Sequence, residues 1–270
     1  MKERLDTALV RRGFFSGRDR AAMHVKQGLV LVNGAYADKP GMRVEEEDVL
    51  EVQQNLIPFV SRGGLKLEHA ISAFQVGVKD KICMDVGAST GGFTQVLLTH
   101  GAASVVAVDT GRDQLSPVLR ENDRVVCMER TDVRNLPSTF DGRFDLVTVD
   151  VSFISLSLIL PRCARLLKPH GRLICLLKPQ FEVGREHIGK KGIVRDERVH
   201  RELLERTLRD WSQGPLYVQK GCASPIRGGD GNVEYLFLLS GEAPGEPPDP
   251  RALIEEGFRP AAKGEERDTL

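Results

Sequence analysis

The sequence of 270 residues has no net charge, because 38 lysines and arginines meet 38 aspartates and glutamates. No global field draws the chain to nucleic acid or to an anionic membrane, so any such footprint has to be local. Paired cysteine spacing is also absent. Cys83, Cys127, Cys163, Cys175 and Cys222 form no CxxC and stand near no histidine cluster. They read as reduced core thiols, not as disulfides or zinc ligands. A membrane span needs a run of about 18 apolar residues. No such run exists: the most apolar stretch, FISLSLILP, has nine residues and looks like a helix after a strand. The opening MKERLDTALVRRG is charged throughout and lacks an apolar signal core, so a cytoplasmic protein without membrane contact is expected. No internal repeat is evident.

Residues 1–55 read as a compact small block. RLDTALVRRG places Leu5, Ala8 and Leu9 at helical spacing, and RDRAAMHVKQG is a second short helix stopped by Gly28. LVLVNGAYA is a hairpin around Asn33-Gly34, and DVLEV closes the block as a strand. Charge is sorted within it: residues 1–28 carry seven basic side chains against three acidic, and residues 29–60 carry two against six. A helix pair bearing the positive half is what binding to a phosphate backbone requires, and equally what a solvated helix surface looks like. The block resembles the small RNA-binding domain first known from ribosomal small-subunit protein S-four, through the opening Arg-Leu-Asp, the Val-Asn-Gly hairpin, the Lys-Pro-Gly turn and the closing strand. That resemblance implies RNA contacts by Arg4, Arg11, Arg12, Arg18, Arg20 and Lys26. Gly17 stands where that family usually has serine, which leaves Ser16 to cap the second helix.

Residues 56–62 read as a linker, 63–240 as a doubly wound α/β domain, and 241–270, rich in proline, glycine and charge, as a mostly disordered tail. The apolar runs KICMDVG, SVVAVD, RVVCMERTD, FDLVTVD and RLICLLK are the expected strands, separated mostly by helical stretches. PLYVQKGCASPI and NVEYLFLLS suggest a terminal hairpin, with the last strand antiparallel.

MDVGASTGGFTQVLL ends a strand in Asp85, turns through glycines and enters a helix. In open α/β sheets ligands bind past the carboxyl ends of strands, where a glycine turn lets the backbone approach a nucleotide. The dinucleotide fingerprint is absent, since Ala88 and Ser89 follow Gly87, and no lysine follows the glycines as a P-loop demands. The remaining pattern resembles the first motif of S-adenosylmethionine-dependent methyltransferases. It implies a cofactor site of Asp85, Gly87, Ser89, Gly91, Gly92, Phe93, Asp109 and Asp132, with Asp109 placed for a ribose hydroxyl and Asp132 for the adenine amine.

Asp150 and Lys178 end the fourth and fifth strands, and Glu234 begins the last, so an antiparallel last strand brings all three to the cofactor edge. Lys66 lies beside the buried stripe of Leu67, Ile71 and Phe74. Singly, each has an ordinary reading: a helix cap, a snorkelling lysine, an exposed strand residue, a surface charge. Together they converge. No Asn/Asp-Pro-Pro-aromatic loop for exocyclic amines follows the fourth strand, and no cysteine has the setting of a carbon-five nucleophile. A ribose hydroxyl is a poor nucleophile that needs a base beside it, and a lysine can serve where burial and a neighbouring cation, here Lys66, favour its free amine. The Lys-Asp-Lys-Glu set resembles the FtsJ/RrmJ-like 2'-O-methyltransferases. With FVSRGGLKLEHA, DVSFISL and GNVEY, the chain is similar to the TlyA family, also called hemolysin A-like, over nearly residues 1–240. The resemblance implies an rRNA 2'-O-methyltransferase, cytidine being the usual target, with Lys66, Asp150, Lys178 and Glu234 catalytic, Lys178 the base, and ribosomal RNA or subunits as partners. Arg185, Lys190 and Lys191 sit in a loop suited to clamping RNA phosphates, or simply to solvent. Two other readings stay open: an RNA-binding factor that has lost activity, and, from the family name, a membrane-active hemolysin.

Overall fold

The computed structural model describes residues 2–15, 17–26, 29–37, 39–52, 58–189, 192–228, 231–243 and 246–259. The chain divides into two compact units, Met1–Pro58 and Phe59–Arg259. The expected cap at Ser16 and stop at Gly28, the end of the small block at 53–55 and the start of the linker at 56–57 lie outside the described residues.

In the small unit, β1 (Glu3–Arg4) leads into α1 (Leu5–Arg11), followed by α2 (Arg18–Lys26), β2 (Val30–Val32), β3 (Ala35–Tyr36), β4 (Arg43–Val44) and β5 (Leu50–Val52). Leu5, Ala8 and Leu9 are fully buried with Ala21, Val25 and Val30, so the helical spacing read from the sequence is the packed face. β2 pairs antiparallel with both β3 and β5. Asn33 and Gly34 take φ of 53° and 78°, the left-handed pair that a two-residue hairpin turn demands.

The large unit runs α3 (Gly63–Phe74), β6 (Ile82–Val86), α4 (Gly92–Thr99), β7 (Ser104–Val108), α5 (Pro117–Arg120), β8 (Val125–Met128), β9 (Phe144–Val149), α6 (Leu160–Leu166), β10 (Leu167–Leu177), α7 (Glu197–Trp211), β11 (Tyr217–Ala223), β12 (Tyr235–Ser240) and α8 (Pro250–Phe258). Its sheet has the order β11-β12-β10-β9-β6-β7-β8. The strands from β10 to β8 are parallel, while β12 is antiparallel to β10 and β11 to β12. Leu173 to Leu177 and all of β12 are buried, as continuous apolar strands covered on both faces should be. Strand order reverses between β6 and β9, which opens a crevice at the carboxyl ends of those strands. The crossovers around β8 are thinner than expected: α5 has four residues, and only short 3-10 turns (Val133–Asn135, Ser138–Phe140) separate β8 from β9. Among the described residues no helix is long and apolar enough to cross a membrane.

Two expectations are corrected. Phe59, placed in the linker, is 7% exposed and belongs to the large unit, where Gly64 leaves room for its ring. The tail read as disordered contains α8. Asp249 caps it through Arg251 N, Pro250 pre-sets its first turn, and Leu253 and Ile254 are buried in the main core. The Glu256 carboxylate also accepts from Ala223 N at 2.9 Å. Composition alone hid this helix, because two docked apolar residues suffice to hold a short helix against an existing core. Residues 260–270 lie outside the described residues.

Leu253→Ala is expected to cost about 2–4 kcal/mol, lowering the urea midpoint without changing its slope. An unchanged midpoint would mean that α8 does not dock.

Candidate active site

At the reversal point lies a cleft of about 510 Å³ bordered by Gly87, Ser89, Asp109, Asp132 and Asp150. Gly87, at φ 83°, runs so close to the Asp150 carbonyl that a Cβ would overlap it, so glycine is obligatory there. Asp109 fastens the cleft's rim: one carboxylate oxygen accepts from Ser89 N at 2.8 Å and the other from Gly111 N at 2.6 Å. Asp132 caps the following 3-10 turn and ion-pairs with Arg134 at 2.6 Å, which holds its carboxyl below the usual range. Glu129 supports the same wall, accepting from the backbone of Asp113, Gln114 and Leu115 and pairing with Arg120. Those bonds hold its carboxyl down at about 2.

The other four residues of the expected cofactor set stand behind the loop, not in the cleft. Asp85 is fully buried and accepts from Thr94 Oγ1 at 2.7 Å and Thr148 Oγ1 at 2.9 Å; burial pushes its pKa up to about 7. Gly91 packs beneath Leu115 and Leu119, Gly92 against Ser61 and Gly64, and Phe93 is 3% exposed. Their side of the turn faces the core, so they shape the loop instead of lining the crevice.

The four candidate catalytic residues form two ion pairs. Lys66 Nζ donates to Glu234 Oε2 at 2.5 Å, both side chains nearly inaccessible. Lys178 Nζ lies 2.6 Å from Asp150 Oδ1, and its hydrogen bond goes to Ser152 Oγ at 3.0 Å. The pairs are neighbours through α3: a Cβ on Gly63 would lie 3.9 Å from Asp150 Oδ2, and Lys66 is one turn further along. Gly228 makes space for Glu234, since a side chain there would meet the carboxylate. Glu234 and Asp150, expected to orient the two lysines and offset some of their charge, each take one lysine as an ion-pair partner. Ser152, Phe153 and Arg134 line the cleft without having been singled out from sequence. Phe153 is 90% exposed at φ 64°, its ring 5.0 Å from that of Phe181. An aromatic after Asp150 was visible in DVSF, but nothing local announced its left-handed backbone.

In the small unit the expected RNA contacts divide. Arg4 pairs with Asp6 at 2.7 Å and Arg11 with Glu3 at 2.6 Å, while Arg12 donates to the carbonyls of Glu45, Glu46 and Asp48. Arg12 is thus a clip on the acidic loop. Arg18 reaches Asp6 only at 3.5 Å, and Arg20 is exposed. Arg185 is exposed on a 3-10 turn of the large unit. Lys190, Lys191 and the side chain of Lys26 lie outside the described residues.

Residues 59–240 match the FtsJ-like methyltransferase family, and residues 3–50 match the S4 domain. The chain is 49% identical to YqxC of Bacillus subtilis, provisionally named an rRNA methyltransferase, over 94% of this chain and 91% of that protein. It is 40% identical to the 16S/23S rRNA (cytidine-2'-O)-methyltransferase TlyA of Mycobacterium tuberculosis, over 96% of each. A solved structure from Streptococcus thermophilus, provisionally named a hemolysin, superposes with a TM-score of 0.73 at 42% identity, covering 94% of both chains.

Glu234→Ala strands the buried Lys66 charge and is expected to cost about 3–5 kcal/mol in urea denaturation. Lys178→Ala, at the more open pair, is expected to cost clearly less; equal losses would contradict the difference in burial.

Proposed function

This chain belongs to the FtsJ-like methyltransferase family, and we propose that it transfers a methyl group from S-adenosylmethionine to a ribose 2'-hydroxyl of ribosomal RNA, cytidine being the target nucleoside. The observation that carries the reading is the Lys178–Asp150 contact of 2.6 Å, whose aspartate borders the cleft, so that a hydroxyl beside the lysine would lie next to the site of a bound methyl donor. The names of the relatives, an rRNA methyltransferase and a cytidine 2'-O-methyltransferase, supply the substrate class.

The cleft suits a nucleoside-bearing donor. Its volume of about 510 Å³ falls in the small-molecule range, and its glycine turn and carboxylates are acceptors for hydroxyl and amine groups. Gly87, Ser89, Asp109 and Asp132 would hold S-adenosylmethionine, which supplies an electrophilic sulfonium methyl when bound. Lys178 would serve as the base: once the ammonium paired with Asp150 has released its own proton to solvent, the amine would accept the 2'-hydroxyl proton as the methyl is transferred. Asp150 stabilises the ammonium that results, and Ser152 keeps Nζ oriented. The buried Lys66–Glu234 pair gives the site a neutral, rigid wall joining α3 to the start of β12. The exposed Phe153 ring offers a face on which a base can stack, and Arg18, Arg20 and Arg185, with Arg4 and Arg11, contact phosphates, while Arg12 stays engaged with the acidic loop.

Labelled methyl transfer to naked rRNA and to separated ribosomal subunits tests the reading. Wild-type protein is expected to label RNA, and Lys178→Ala to lose about 100-fold or more in rate with cofactor affinity, measured calorimetrically, nearly unchanged. Substantial activity in that variant would remove Lys178 from the base role. Absence of label with intact cofactor binding would favour a binding factor without turnover.

A further inference from the structure

The loops that follow β9 and β10 are joined residue by residue. Asp150 meets Lys178, Ser152 meets Lys178, and Phe153 meets Phe181. The last connection is made by Glu182, which accepts from Ser155 Oγ at 2.6 Å and from Leu156 N at 2.8 Å. Phe153 lies between the ends of this set at φ 64°, a conformation that a bulky residue holds only when its flanks are fixed. The upstream flank is fixed by the sheet, since Asp150 N donates to Val86 O at 2.9 Å and the Asp150 carbonyl packs on Gly87. The downstream flank has no strand to hold it. The Leu156 side chain is packed in the main core, while Ser155 and Glu182 border a cavity of about 460 Å³ that Leu160 and Trp211 also line, so the backbone on that side is held by the Glu182 carboxylate. Glu182 is itself pinned to α7, where Arg206 Nη2 donates to its carbonyl at 3.0 Å.

We propose that Glu182 is a positioning residue for methyl transfer: its carboxylate clasps Ser155 and Leu156 and so sets the loop that presents Asp150, Ser152 and Phe153 to Lys178. The inference rests on the function proposed above for the Lys178–Asp150 pair. Glu182 touches neither a reacting atom nor the cleft. Burial raises its pKa, and the bonds from Leu156 N and Ser155 Oγ work against that rise by favouring the carboxylate. Glutamine can keep much of the clasp, with its carbonyl oxygen on Leu156 N and its amide donating to Ser155 Oγ; alanine can keep none.

The test compares Glu182→Ala, Glu182→Gln and Ser155→Ala in the full chain, with S-adenosylmethionine as donor and rRNA as acceptor. Glu182→Ala is expected to lower kcat about tenfold or more, with the Kd for S-adenosylmethionine and the KM for RNA within about threefold of wild type. Glu182→Gln should recover most of that kcat, and Ser155→Ala should lose several-fold. A second readout needs no turnover: amide hydrogen exchange across residues 150–157 should rise in Glu182→Ala and Ser155→Ala and be largely restored in Glu182→Gln. If Glu182→Ala does not fold, the Ser155→Ala and Glu182→Gln measurements decide. Unchanged exchange and unchanged kcat in the folded variants would overturn the clasp. So would a loss of kcat that glutamine fails to rescue. Wild-type protein that labels no RNA would instead overturn the proposed function, and the exchange data would still decide the clasp.

Discussion

The Lys178–Asp150 contact exists because β9 and β10 run parallel in a fixed register, Cys175 opposite Val149, so that each strand delivers a polar side chain just past its last apolar residue. Everything chemical in the large unit hangs on that edge. The reversal of strand order between β6 and β9 leaves the crevice uncovered there, and the antiparallel β12 returns Glu234 to the same edge, one residue before Tyr235, which stands opposite Leu177. A one-residue slip of β10 would send each of its side chains to the opposite face of the sheet and so turn Lys178 away from Asp150.

Charge in the site is arranged as two local neutralities, not as a cluster of like charges. The Lys66–Glu234 pair is desolvated, and such a pair adds little net stability, yet it resists rearrangement because separating it strands a buried charge. It therefore acts as a fixed strut between α3 and β12. In the Lys178–Asp150 pair the carboxylate is the more exposed acid, 19% against 3% for Glu234, and the lysine also donates to Ser152. In the proposed mechanism the first pair is the rigid wall and the second the working pair.

Much of this was legible because it is written in short-range contrast. Lys178 and Asp150 each interrupt an apolar strand at its end, Glu234 precedes an unbroken apolar strand, and Gly87 opens a turn between strand and helix. What stayed hidden depends on partners far along the chain. Asp85 looks like a cleft carboxylate until Thr148, remote in sequence, is found to bind it from inside the sheet. Glu182 reads as one acid among many until Ser155 and Leu156 arrive opposite it. Arg12 reads as an RNA contact, yet its guanidinium is spent on the carbonyls of the acidic loop. Helix α8 was masked by the composition of its surroundings, since docking against Ala223 and the core, not propensity, holds it.

The central claim concerns one oxygen atom. RNA labelled by the protein with methyl-tritiated S-adenosylmethionine, digested completely to nucleosides and separated by chromatography with mass detection, reports where the methyl resides. The account requires the label in 2'-O-methylcytidine, from a position that resists alkaline cleavage. Label on a base nitrogen or carbon, with riboses unmodified, would contradict a site built around a lysine that deprotonates a ribose hydroxyl.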